Sequence, residues 1–163
     1  DGIFTIDSST ISHSTVGDFS NLKNPQKPAG GKNGGRMKGG GHSQANIDEL
    51  NNRGIAYRIE KTYSNGVRIG GVENHREKEK MIGKSGQSWF PEDWDEDKIR
   101  IAGTYVANNP EITIEKKSDL GEVTGYLHFA TYDGVTIGIF SDIKKNPNTI
   151  FPDEVQRTLE VSD

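Results

Sequence analysis

Two histidines bracket the stretch of this chain best suited to chemistry. His13 and His42 enclose a segment whose only acid is Asp18. Lys23, Lys27, Lys32, Arg36 and Lys38 lie within it, interleaved with Gly30, Gly31, Gly34, Gly35, Gly39, Gly40 and Gly41. An imidazole titrates near neutrality, at about pKa 6.5. Two of them beside a cationic, sterically open backbone match acid–base work on a phosphodiester. The cations attract phosphate, which makes Lys32, Arg36 and Lys38 expected substrate contacts. RNA brings its own nucleophile, the 2′-hydroxyl, so a site of this kind needs neither metal nor cofactor. It needs a base for the 2′ proton, an acid for the departing 5′ oxygen, and fixed positive charge for the developing phosphorane. The products would be a 2′,3′-cyclic phosphate and a 5′-hydroxyl.

Each candidate also has a plainer reading. His42 follows three glycines and starts an expected helix, where free N–H groups favour anions. Taken singly, it fits a surface histidine at a helix terminus equally well, and His13 fits a structural residue better. Lys84, in Gly83-Lys84-Ser85-Gly86-Gln87-Ser88, suits phosphate and base contacts but lacks the spacing of a P-loop. The alternative is a solvated turn lysine. His75, among Glu73, Asn74 and Arg76, invites a metal-dependent nuclease but reads more simply as an exposed loop histidine. His128 is expected on a strand, partly buried. Trp89, Phe90 and Trp94 are most simply core anchors, although an aromatic there could stack on a base.

These residues must be positioned by a chain of 163 residues, enough for one domain over 1–163. An apolar fraction of 31% and 20 glycines favour a loop-rich, short-stranded domain over a helical bundle. There is no cysteine, which excludes disulfides, cysteine-ligated zinc and a thiol nucleophile. It also suits a protein that unfolds and refolds in transit between cells. A net charge of −4 argues mildly against nucleic acid, but the charge is segregated. The 21–42 stretch is basic, whereas Glu92, Asp93, Asp95, Glu96 and Asp97 form an acidic run. No run of about 18 apolar residues exists to span a membrane. The opening at Asp1, without a basic-then-apolar leader, is expected of a fragment of something longer.

Local signals divide the chain into short elements. Gly2 to Ile6 reads as a short strand or tail, and 21–41 as a long loop. Residues 43–53 read as a helix with Gly54 as its left-handed stop. Residues 55–63 and 67–72 form an expected hairpin about Ser64-Asn65-Gly66, and 73–88 an expected loop. A helix starts after Pro91 with Asp95 as N-cap, burying Ile99, Ala102, Tyr105 and Val106. Residues 123–132 and 135–143 flank Asp133-Gly134 as a second hairpin, and 149–151 adds a strand. The expected class is α+β, with small antiparallel sheets and a few short helices.

Five pieces form an ordered pattern: His13-Ser14-Thr15-Val16-Gly17-Asp18-Phe19, Gly39-Gly40-Gly41-His42-Ser43, Gly83-Lys84 with Ser88, Ser88-Trp89-Phe90-Pro91-Glu92-Asp93-Trp94, and Thr149-Ile150-Phe151-Pro152. In this pattern the chain resembles the bacterial EndoU endoribonucleases over a core of 13–152, and in particular the C-terminal toxin domains of CdiA-type contact-dependent growth inhibition effectors. It shares motifs with the uridylate-specific endoribonuclease of coronaviruses. The resemblance implies that His42 is the general base, His13 the general acid and Lys84 the third catalytic residue. It implies that Ser88 contacts the base, and that Thr149 holds the phosphate or positions the histidines. Phe151 stands where the viral relative has a nucleoside-orienting tyrosine, so a hydroxyl contact is missing there. The longer loop between the histidines reads as a substrate arm, and Lys78 and Lys80 are alternatives to Lys84. The implied partners are RNA, tRNA among the candidates, and a cognate immunity protein. The implied setting is a fragment of a secreted or cell-surface effector that acts in a target-cell cytoplasm. Two other readings remain open: a metal-dependent nuclease using His75, and a non-catalytic RNA-binding or adhesin module.

Overall fold

A hydroxyl-rich run that lacks any apolar stripe forms the first helix. The computed structural model describes residues 3–20, 35–73, 75 and 86–159. Within it α1 spans Ser8–Thr15, and the Asp7 carboxylate accepts from Thr10 N at 2.8 Å as N-cap. Ile11 is its only large apolar residue, and Thr10, Ser14 and Thr15 are buried beside it. Tertiary contact rather than amphipathicity holds this helix. Residues 3–7 belong to no strand, which leaves the tail of the two readings for the described part of this segment.

Three small antiparallel sheets follow. β1 (Asp18–Ser20) pairs with β2 (Arg36–Gly39) across a bulge. α2 (Gln44–Arg53) starts at Ser43, whose hydroxyl accepts from Ala45 N, and stops at Gly54 at φ 71°. This matches the expected helix. β3 (Tyr57–Thr62), β4 (Arg68–Val72) and β5 (Gln87–Trp89) make the second sheet. α3 (Glu96–Asn108) is capped by Asp95, which accepts from Lys98 N at 2.8 Å. Such a cap contributes about 1 kcal/mol. β6 (Ile112–Lys117), β7 (Val123–Tyr132), β8 (Val135–Ser141) and β9 (Pro147–Pro152) make the third sheet in that order. Asp133 and Gly134, at φ 49° and 78°, form the two-residue turn that the Asp-Gly pair predicts.

Two apolar clusters anchor these elements. In one, Ile99, Ala102 and Val106 of α3 pack with Ile137, Ile139 and Ile150 of the third sheet, and Ile11, Phe90 and Trp94 join them. In the other, Met37, Ile47, Leu50, Ile55, Val72 and Trp89 tie β2 and α2 to the second sheet. Trp89, Phe90 and Trp94 are therefore core anchors. The α3 stripe differs from expectation at one position. Tyr105 is 43% exposed with its ring against Tyr132, and Gly103 is buried in its place. A Cβ at Gly103 would meet Ile150 Cδ1 at 2.5 Å, so α3 and β9 approach too closely for a side chain there.

His128 lies deeper than expected, at 4% exposure. Its Nδ1 is 2.9 Å from Thr113 Oγ1 and its Nε2 3.1 Å from Ser141 Oγ. Burial, and secondarily the charge of Lys145, lower its pKa below the usual 6.5. The unfolded chain then takes up this proton at a higher pH than the folded one. Stability associated with His128 is complete above about pH 6.5 and falls as pH drops from there through the depressed folded value. Urea midpoints at a series of pH values from 8 to 5 are expected to decline less steeply in His128→Gln than in wild type. Equal slopes would refute the assignment. Among the described residues, no helix is long and apolar enough to cross a membrane.

Candidate active site

An α-helix ends with carbonyls that have no partner in the helix itself. At the end of α1, Ser12 O accepts from Val16 N and Gly17 N. The next three carbonyls are satisfied from a distant segment. Gly41 N donates to His13 O at 2.8 Å, His42 N to Ser14 O at 2.6 Å, and Ser43 N to Thr15 O at 3.3 Å. Ser43 Oγ also donates to Thr15 O. Residues 41–43 thus cap the helix whose last turn carries His13, and the cap itself contains His42. The approach is possible only because Gly40 and Gly41 sit at φ 66° and 72°. A Cβ on Gly40 would lie 2.0 Å from His13 O and 3.0 Å from His13 Cε1, so the glycine backbone lies directly against the His13 ring. The tract from Gly39 to Ser43 is therefore an arch laid over the end of α1.

Both rings are oriented by acceptors. His13 Nδ1 is 2.6 Å from the Asp18 carboxylate, which accepts a hydrogen bond from Nδ1–H. His42 Nδ1 is 2.8 Å from Ser88 O, a carbonyl that can only accept. In neutral His42 the partner therefore assigns the proton to Nδ1 and the lone pair to Nε2. Phe90 N donates to His42 O at 2.6 Å, and the Phe151 ring centroid is 6.0 Å from that of His42. Ser14 extends the same connection: its buried hydroxyl accepts from Ile150 N at 2.9 Å, seating β9 against α1. Residues 13–18, 39–43, 88–90 and 150–151 converge at one place.

The family model of bacterial EndoU nucleases matches residues 9–154. The chain belongs to this family. It is a nuclease. No curated protein and no solved structure matches it.

In this EndoU nuclease His13, His42, Ser88 and Phe151 are brought together. Ser88 is bound into the structure on both sides. The residue is 2% exposed, its hydroxyl donates to Pro152 O at 2.9 Å and lies 3.5 Å from His42 Nδ1, and its carbonyl orients His42. Phe151 stacks on Phe140 at 5.0 Å and meets Phe129 edge-on. Thr149 pairs with Phe140 across β8 and β9 and borders a cleft of about 340 Å³ with Lys116, Asn148 and Ser141. Arg36 and Lys38 are exposed on β2, with Met37 between them buried. Arg36 also donates to His75 O at 2.9 Å. Lys32 and Lys84 lie outside the described residues, as do Lys78 and Lys80.

His75 is 2% exposed and bridges Met37, which corrects the expectation of an exposed loop histidine. Among the described residues, no group of three or more His, Cys, Asp or Glu side chains is placed to hold a metal ion.

Asp18, Ser14 and Asn46 carry functions that residue type alone did not reveal. Asn46 Nδ2 donates to Val16 O at 2.8 Å while its Oδ1 accepts from Trp89 Nε1 at 2.9 Å. It thereby locks α2 between the turn after α1 and the strand beside His42. Asp18 lies five residues beyond His13, across a Gly17 turn at φ 93°, and that turn is the signal that could have found it. Asp18→Asn is expected to lower kcat about tenfold, part of the roughly 10²–10⁴ that a positioned acid or base contributes. Steady-state cleavage kinetics against pH check this, and an unchanged kcat would remove Asp18 from the machinery.

Proposed function

We propose that this EndoU nuclease is a metal-independent endoribonuclease that uses the ribose 2′-hydroxyl as its nucleophile. His42 Nε2 takes the 2′ proton, and the 2′ oxygen bonds to phosphorus. The bond from phosphorus to the 5′ oxygen breaks, and His13 protonates that oxygen as it leaves. A 2′,3′-cyclic phosphate and a 5′-hydroxyl result, and His13 and His42 have then exchanged protonation states. The observation that carries this reading is the capping of α1 by Gly41, His42 and Ser43. It anchors both imidazoles on the same few peptide groups, as concerted proton transfer requires. Arg36 and Lys38, exposed on the strand that leads into the arch, offer phosphate contacts.

The biological setting proposed is that of a toxin carried by a secreted or cell-surface effector and released into a neighbouring bacterium. Cellular RNA is the target, tRNA foremost, since one cut there halts translation. A cognate immunity protein would cover the site, with an acidic surface that competes with RNA for the basic segment.

Incubating the purified protein with total RNA in EDTA, then analysing the new ends, tests the chemistry. Cyclic phosphate and 5′-hydroxyl ends are expected at undiminished rate. Ends with 3′-hydroxyl and 5′-phosphate, or loss of cleavage in chelator, would overturn the mechanism and favour a metal-dependent nuclease. Intact RNA would favour a binding module.

A further inference from the structure

α1 grips the glycine arch by its N–H groups, and one buried side chain grips it by its carbonyls. Gln87, on β5, is 1% exposed. Its Nε2 donates to Gly40 O at 3.0 Å and to Gly41 O at 2.5 Å. A primary amide carries two N–H donors, and here both go to consecutive peptide groups of the arch. The next residue, Ser88, accepts a hydrogen bond from His42 Nδ1–H on its carbonyl, and Phe90 N donates to His42 O. One short strand and the residue after it therefore hold the arch, the ring and the backbone of His42 in sequence.

We infer that Gln87 is a positioning residue for the nuclease reaction, fixing the arch so that His42 and His13 keep their mutual placement. The inference rests on the reading of His42 as base. Its physical ground is the convergence of two carbonyls at a buried point. An aliphatic residue leaves both without that donor. A glutamate carboxylate faces them with like partial charge, and once protonated it can satisfy only one. Gln87 is buried and its amide N–H groups go to the arch, so its effect belongs in turnover rather than in binding.

The test uses Gln87→Leu and Gln87→Glu in the full chain. Gln87→Leu is expected to lower kcat about 10–100-fold, as sub-ångström misplacement of a catalytic group does, with KM within about threefold of wild type. Gln87→Glu should lose less relative to wild type as pH falls, because the protonated carboxyl regains one donor. Imidazole Cε1–H resonances, assigned with His42→Ala and His13→Ala, should show a displaced His42 titration midpoint in Gln87→Leu and an unmoved one for His128. A folded Gln87→Leu with wild-type kcat, or one whose loss lies in KM, would overturn the inference. Should Gln87→Leu fail to fold, a pH-independent ratio for Gln87→Glu, or an unmoved His42 midpoint in it, overturns it as well. Failure of the underlying reading looks different: wild type then leaves RNA uncut, or cuts it without His42, while the resonance measurement still reports on Gln87.

Discussion

His42→Ala is expected to reduce RNA cleavage about 10²–10⁴-fold, with the fold intact. His42 is partly exposed; truncation removes the ring's bond to Ser88 O, but the backbone is held by two bonds of its own, His42 N to Ser14 O and Phe90 N to His42 O. Both survive truncation of the ring. The loss should therefore fall on kcat while urea midpoints move little. His13→Ala should behave alike: its ring is partly exposed, its carbonyl still accepts from Gly41 N, and only the bond to Asp18 disappears. Because the proposed mechanism joins the two in one proton cycle, the double variant should be scarcely slower than either single variant. Single-turnover cleavage of a defined RNA, alongside circular dichroism, checks all three. Substantial activity in both single variants would end the assignment of the histidines.

Gly40→Ala is expected to damage both stability and catalysis without altering any group that does chemistry. At φ 66° an added Cβ lies 2.0 Å from His13 O and 2.9 Å from His13 C. These are backbone atoms of a capped helix, and they cannot yield without breaking the bond from Gly41 N. Left-handed strain and overpacking together should cost about 2–4 kcal/mol. Displacement of the arch by even an ångström should lower kcat about 10²-fold. Gly121→Ala is the control. It too has positive φ, at 83°, but nothing lies within 4 Å of its added Cβ. It should show the strain alone, about 1–2 kcal/mol, with unchanged kcat. If Gly40→Ala matched Gly121→Ala in activity, the arch would not be what aligns the histidines.

Several parts of this architecture could be read residue by residue because they depend only on near neighbours. Asp95 and Ser43 cap helices with their own side chains, Gly54 closes α2, and Asp133-Gly134 turns β7 into β8. The ordered motifs from His13 to Pro152 likewise pointed to the family that residues 9–154 match. Other features are silent in the chain. β6 is exposed at every position and borders the sheet only because β7 offers it partners. Tyr105 and Gly103 exchange roles because α3 meets Ile150 at close range.

By itself, then, the sequence determined the class of fold, the local caps and turns, and the family. Tertiary structure alone decided that Ser88 donates its hydroxyl to Pro152 O and offers its carbonyl to His42, that Asp18 holds His13, and that α1 exists at all. The reason is the same in each case. Hydroxyls, carbonyls and carboxylates accept whatever donor comes near. Which donor that is depends on burial and on the orphan carbonyls of a helix end, which are satisfied by residues about 28 positions away along the chain.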